Sequence, residues 1–310
     1  MNFLQLTKEM TRLYAEGKYA EALSLTEEHA GRFPEHAART TFWKLCLLSM
    51  CGRKEDVIPV FQQGLDSGLW WGERQFVDTD LDAVRDMPEF QRLMQVSREK
   101  YEHANKQAKP ERALLVPDTL SSPMPLLIAL HGGGGTKDSN LEEWDVARRR
   151  GWLVLSPQST HLIFPNAYWW AEDLEQRLDD IQFHLDEILQ IYPIDRGRIV
   201  TAGISQGSGI AIHAALGEKI PACGFISIAV GWPHTDEIAA LAARAKDVRG
   251  YFVIGEKDHT LQSATEIRSI LREHNIPFAE EVYPDLGHEF PPDLEKTFDQ
   301  AIDFIFKEHE

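Results

Sequence analysis

The chain has 310 residues, enough for two domains and at least one sizeable core. Its formal charge of −17 leaves no basic excess, which excludes a general nucleic-acid binder and a protein that docks on anionic membranes. Cys46, Cys51 and Cys223 show no CxxC spacing and read as reduced thiols. With no apolar signal core and no run of about 18–20 apolar residues, the expected location is the cytoplasm.

Residues 1–104 read as helical. "GKYAEALSLTEEHAGRFPEH" (17–36) and "GRKEDVIPVFQQGLDSG" (52–68) each open on glycine and polar residues, then continue as an apolar helix face. Amphipathic segments, "LTKEMTRLYAE" and "TTFWKLCLLSM", run ahead of them. The two glycines lie 35 residues apart, the spacing of a helix–turn–helix repeat. Gly17, Tyr19, Ala22 and Pro34 resemble a tetratricopeptide repeat, and the second unit fits less well because Val57 takes the small-residue position. A generic helical bundle is the alternative. "DLDAVRDMPEFQRLMQVSREKYEHA" (80–104) closes the region, and polar residues 105–111 are expected to form a linker.

From 112 to 310 the period changes. "ALLVP", "LLIAL", "WLVLSP", "IVTAG", "GFISIAV", "GYFVIG" and "AEEVYP" are apolar runs of strand length, separated by helical patterns. That alternation predicts an α/β domain with a mostly parallel sheet buried on both faces.

The chemistry lies at the ends of those strands. "GISQG", Gly203 to Gly207, follows a strand and opens a helix, the context in which G-x-S-x-G presents a nucleophilic serine. Small residues are needed there because strand end and helix start approach closely. Ser205 alone is a weak nucleophile and needs a base oriented by an acid. Asp258 follows "GYFVIG", and His288 stands in "DLGHEF" after "EEVYP", in the chain order Ser, Asp, His. The expected roles are Ser205 as nucleophile, His288 as general base and acid, and Asp258 as the group that fixes the imidazole. Glu256, His259 and His213 are weaker alternatives: a turn residue, a side chain expected to point elsewhere, and a packed helix residue. Asp285 is expected to shape the loop before His288, and Asp179 and Asp180 read as a solvated face or cap.

The oxyanion of a tetrahedral intermediate needs N–H donors. "LLIALHGGGG" ends a strand in four glycines, and the expected donors are the N–H groups of Gly133, or its neighbour, and Gln206. His131 reads as a residue that structures this loop. A phosphate-binding reading of the glycines lacks the Lys-Ser/Thr or G-x-G-x-x-G context.

Together "LHGGGG", "GISQG", "GEKD" and "GHEF" resemble the α/β-hydrolase superfamily, and the Ser-Gln-Gly elbow is similar to its phospholipase/carboxylesterase branch. The resemblance covers residues 112–310. It implies an α/β-hydrolase fold and ester or thioester hydrolysis through an acyl-enzyme, without a cofactor. The N-terminal helical domain is a departure from the small members of that branch.

"FPNAYWWAED" (164–173) should emerge beside the site, so Trp169 or Trp170 is expected to touch substrate, with "GWPHTDE" adding Trp232. Trp70 and Trp71 of "GLWWGERQF" are expected at the interface of the two domains. No metal site is expected. The favoured reading is a serine carboxylesterase acting on a small-molecule acyl ester. A thioesterase or peptidase on the same triad is the alternative enzyme. An interaction protein, binding a protein partner through its helical repeats, is the alternative of another class.

Overall fold

A computed structural model describes residues 1–232 and 234–307; Pro233 of "GWPHTDE" and the last three residues of the predicted C-terminal helix lie outside the described residues. The chain divides into two compact units. One comprises Met1–Ala108 with Leu162–Ala167, and the other Lys109–His161 with Tyr168–Glu310.

The first unit is helical: α1 (Phe3–Ala15), α2 (Tyr19–His29), α3 (Ala37–Met50), α4 (Lys54–Asp66), the short α5 (Glu73–Phe76) and α6 (Asp82–Arg85), and α7 (Pro88–Gln107). Successive long helices pack as α1 on α2, α2 on α3 and α3 on α4. The repeated glycines have a common cause. Gly17 and Gly52 both adopt φ 72° where α1 and α3 end. Past them, the N–H of Lys18 donates to Leu13 O and that of Arg53 to Leu48 O, each at 2.9 Å. This left-handed turn caps helix carbonyls and suits glycine. Leu6, Leu23, Leu45, Phe61 and Phe90 fill the core.

Two expectations change here. Trp71 does not wait at an interface: it is fully buried in this unit's own core, its indole N–H donating to Ala38 O at 3.0 Å. Ser97 Oγ holds its backbone from both sides. Nor is 105–111 a free linker. Asn105 to Gln107 complete α7, and Glu111 opens β1, leaving Ala108–Pro110 between them. The last turn of a solvent-facing helix carries no apolar residues to mark it. Asn105 Oδ1 nevertheless accepts the Leu162 N–H at 3.2 Å.

The second unit holds a seven-stranded sheet. Its strands are β1 (Glu111–Leu115), β2 (Met124–Leu130), β3 (Leu153–Gln158), β6 (Ile194–Ile204), β7 (Gly224–Ile228), β8 (Arg249–Gly255) and β9 (Phe278–Tyr283), in the order β1-β3-β2-β6-β7-β8-β9. Between β3 and the next helix the chain forms a hairpin, β4 (His161–Phe164) and β5 (Ala167–Trp169), turning at Asn166 with φ 60°. Among the described residues, only β1 pairs antiparallel in the large sheet. Alternate residues of the buried strands face opposite layers. Leu127, Val154 and Val200 pack with Trp144 and Phe298 of α8 (Leu141–Arg149) and α13 (Leu294–Ile305). Ile128, Leu153 and Leu155 pack with Ile181 and Ile210 of α9 (Leu174–Ile191) and α10 (Gln206–Leu216). α11 (Thr235–Ala242) and α12 (Leu261–Glu273) extend that layer. The sheet is mostly parallel with helices on both faces, as the alternation of runs predicts. The β4–β5 hairpin is the element not foreseen.

Candidate active site

The central strand β6 delivers Ser205 to its carboxyl end. There φ is 57° and ψ −126°, a strained conformation for a residue with a Cβ. The Ser205 N–H donates to Ile228 O at 3.1 Å, and its carbonyl accepts from the Gly231 N–H at 3.0 Å. These bonds fix the turn between β6 and α10. The flanking glycines are required by contact. A Cβ on Gly203 would stand 2.4 Å from the Gly207 carbonyl, and one on Gly207 would stand 2.2 Å from Leu130 O. The backbones of Gly132 and Gly231 flank Ser205 Oγ, where a Cβ would lie 4.0 and 3.3 Å from it.

Asp258 and His288 meet at the ends of β8 and β9. His288 Nδ1 lies 3.0 and 3.1 Å from the two carboxylate oxygens of Asp258. Thr260 donates its N–H and its Oγ1–H to Asp258 Oδ1, both at 2.8 Å. Asp258 is 6% exposed. Burial alone would raise its pKa, but the bonds from His288 and Thr260 outweigh it and hold the carboxyl below its ordinary value. The two loops are stitched together, since the Lys257 N–H donates to Leu286 O at 3.0 Å and Lys257 Nζ pairs with Asp285 at 2.6 Å. Asp285 thus shapes the His288 loop from its exposed side.

His259 departs from expectation. The Asp258–Thr260 turn brings its ring back to 4.5 Å from that of His288, with Nδ1 3.5 Å from Asp258 Oδ1. Donor atoms of Asp258, His259 and His288 lie within 4.8 Å of one another, a grouping that could hold a metal. His213 is fully buried in α10. Asp180 is also buried rather than solvated: it accepts the N–H and hydroxyl of Thr160, each at 3.1 Å, and so holds the turn before β4.

The glycine loop sits against the elbow. Gly134 donates to Tyr168 O at 2.7 Å and Gly135 to Gly132 O at 3.0 Å, so these two N–H groups are engaged. His131 is buried. It donates from Nδ1 to Gly132 O at 2.8 Å and accepts the Ser159 N–H at Nε2, 3.3 Å away. Burial pushes its pKa down to about 4, so the ring is neutral and structures the loop.

The tryptophans separate into two roles. Trp170 is fully buried in the layer beneath the sheet, stacks on His131 and donates its indole N–H to His131 O at 2.9 Å. It supports the loop from below rather than lining the site. Trp169, the last residue of β5, is half-buried. Its ring lies where a Cβ on Gly133 would come within 2.3 Å, and it meets Trp232 edge-on at 5.7 Å. The Gln206 side chain reads the Trp170 backbone from both sides, accepting its N–H at 3.1 Å and donating to its carbonyl at 3.3 Å.

Arg177 and Thr260 are residues that motif reading missed. Arg177 is fully buried in α9, bonds Glu237 at 2.7 Å and stacks on the Trp232 ring at 5.1 Å. Nothing in its local sequence marks it, because its partners come from distant elements. The D-x-T spacing of "EKDHT" is the signal for Thr260, a side chain–backbone turn.

Residues 2–105 match the family model described as the A/B hydrolase-like N-terminal domain. No curated protein matches the chain. A crystal structure of an uncharacterized protein from Bacillus cereus ATCC 10987 is similar over 99% of both chains, with 24% identity and a TM-score of 0.55. The Bacillus cereus carboxylesterase is similar over 66% of this chain and 99% of its own, with 20% identity and a TM-score of 0.50. Esterase PE8 is similar over 62% of this chain and 97% of its own, with 16% identity and a TM-score of 0.51. Among the described residues no helix is long and apolar enough to cross a membrane. The chain has an α/β-hydrolase fold, and ahead of it a helical region that matches the N-terminal domain of A/B hydrolase-like proteins.

Proposed function

We propose that the protein is a serine hydrolase that cleaves carboxylic esters, with Ser205 as nucleophile, His288 as base and Asp258 as its orienting acid. One observation carries the reading: a strained Ser205 on a G-x-S-x-G elbow shares the carboxyl edge of the sheet with an Asp258–His288 pair in contact at 3.0 Å. His288 takes the Ser205 proton as Oγ attacks the acyl carbon, then gives it to the leaving alcohol. Asp258 holds the proton-bearing nitrogen at Nδ1, leaves Nε2 to act as base, and stabilises the imidazolium. The N–H groups of Gln206 and Gly133 receive the oxyanion. Water, activated by His288, then releases the acid. Trp169 and Trp232 form an aromatic wall for the acyl or aryl group. The esterase names of two structural relatives support an ester substrate. On this reading the helical domain ends with α7 at Gln107 and the catalytic domain opens with β1 at Glu111.

The test is fluorophosphonate labelling of the full chain with peptide mapping, beside hydrolysis of matched oxyester, thioester and amide substrates. Labelling at Ser205, lost together with oxyester hydrolysis in Ser205→Ala, is expected. A folded Ser205→Ala protein that keeps its activity would overturn the proposal. Faster turnover of the thioester or amide would move the assignment within the same chemistry.

A further inference from the structure

The helical unit contains a cavity of about 320 Å³. α1 contributes Tyr14, α3 contributes Phe42, Trp43 and Cys46, and the turn after α5 contributes Asp78 and Asp80. Aromatic side chains from two helices and two carboxylates from a third segment thus line one cavity, with one face of the Trp43 ring stacked on Phe3. This volume falls at the lower end of the range typical of small-molecule sites, on the order of 300–1,000 Å³, and exceeds what a bare ion needs.

The carboxylates are held in place but not neutralised. Asp78 Oδ1 accepts the Asp80 N–H at 3.0 Å, and Asp80 Oδ1 accepts the Tyr14 hydroxyl at 2.7 Å. Among the described residues no lysine, arginine or histidine forms an ion pair with either. Arg85, the guanidinium bonded to this segment, bonds the main-chain carbonyls of Phe76 and Asp78 and the carboxylate of Asp82 instead. Asp80 is 8% exposed; burial and the neighbouring Asp78 and Asp82 raise its pKa, and the Tyr14 hydroxyl opposes them.

Cys46 is a second, independent observation. It is 6% exposed, lines the same cavity, and offers Sγ within 4.8 Å of a carboxylate oxygen of each aspartate. Its thiol has no hydrogen-bond partner among the described residues. Burial and the two nearby carboxylates push its pKa up, so it stands as a neutral thiol. The cavity thus combines a soft, uncharged floor, π-faces and uncompensated negative charge. Aromatic faces attract cations through their quadrupole, and a desolvated carboxylate adds a directional acceptor.

We propose that this cavity binds a small organic cation, an alkylammonium or quaternary ammonium group, between the Trp43 ring and the carboxylates of Asp78 and Asp80. The site lies wholly within the helical unit and does not depend on the ester-hydrolase reading.

Calorimetric titration of the full chain tests it, with butylamine and tetramethylammonium as ligands, neutral tert-butanol as the uncharged control, and Zn²⁺ and Ca²⁺ as metals. Saturable binding of an ammonium ligand and none of the alcohol is expected. Asp80→Asn, which keeps an acceptor for Tyr14, should weaken binding about tenfold or more. Trp43→Leu should weaken it too, and Trp43→Phe, which keeps a ring, should weaken it less. Circular dichroism and unfolding midpoints establish that each variant folds; if Trp43→Leu does not, the Trp43→Phe and Asp80→Asn results decide. No saturation by either ammonium at millimolar concentration overturns the proposal. So does equal binding of the alcohol, or tight Zn²⁺ binding that Cys46→Ser abolishes, which would make the cavity a metal site.

Discussion

The Gly207 Cα and the Leu130 carbonyl oxygen approach so closely that a Cβ on Gly207 would stand 2.2 Å from that oxygen. His131 O would lie at 2.5 Å from the same Cβ. Both neighbours are backbone at the end of a central buried strand, so neither can turn aside as a side chain would. Gly207→Ala must therefore push α10 away from β2 and, with it, the Ser205 turn. The expected result is a loss of stability of roughly 1–3 kcal/mol, the scale of overpacking a core. A larger loss of fluorophosphonate reactivity should accompany it. Equal reactivity in a folded Gly207→Ala protein would mean that the elbow tolerates displacement.

The need for glycine there was legible from sequence, because strand end and helix start approach closely at such a junction; that the Leu130 backbone of another strand presses on Gly207 was not. Asp258 and His288 were legible for a similar reason: each follows an apolar run whose end must lie on one sheet edge. What lay out of reach was placement decided by packing between remote segments. Trp169 and Trp170 are neighbours with the same composition, and only the layer beneath the sheet decides that Trp170 is buried. His259 was expected to point elsewhere; its side chain is largely exposed, but its ring also lies 4.5 Å from that of His288. The β4–β5 hairpin was not legible, because its strands of four and three residues are too short to show alternation.

Asp258 tests the division of labour in the proposed triad. Asp258→Asn keeps the size of the side chain but replaces a carboxylate acceptor with an amide that can donate to His288 Nδ1. The imidazole would then carry its proton on the wrong nitrogen and could not accept from Ser205. The expected loss in kcat is about 10⁴-fold with KM little changed. A loss confined to KM would assign Asp258 to substrate binding instead.

Arg177 anchors the Trp232 side of the site. Its guanidinium donates to the carbonyls of Glu172 and Asp173 at 2.9 and 3.2 Å, bonds Glu237 at 2.7 Å and lies under the Trp232 ring. Trp232 itself takes φ 52°, and Ala229 and His234 nearby are also at positive φ, so this loop holds a conformation that needs support. Arg177→Ala leaves the carbonyls of Glu172 and Asp173 and the partly exposed Glu237 without this donor, at a cost of about 1–3 kcal/mol. Arg177→Lys keeps the charge but not the fork that reaches three acceptors. It should fold, with kcat/KM reduced more for aryl than for acetyl esters. Equal reduction for both would show that Trp232 does not contact the substrate.

His131 sets an acid limit on stability. Burial holds its folded pKa near 4, against an ordinary value of 6.5. Between those values the unfolded chain binds a proton that the folded chain refuses. Stability is therefore complete above about pH 6.5, falls as the pH drops toward 4, and levels off below it, by roughly 3 kcal/mol in all for this one group. His213, also pushed down by burial and by Arg177, to about 3, acts in the same direction over a wider window. Urea unfolding at pH 7 and pH 4.5 should show a lower midpoint in acid, and His131→Asn should reduce the difference between the two. An unchanged difference in His131→Asn would place the acid sensitivity in His213 or in the carboxylates. A midpoint that rises in acid would mean that His131 is protonated in the folded chain, which its accepted hydrogen bond from Ser159 forbids.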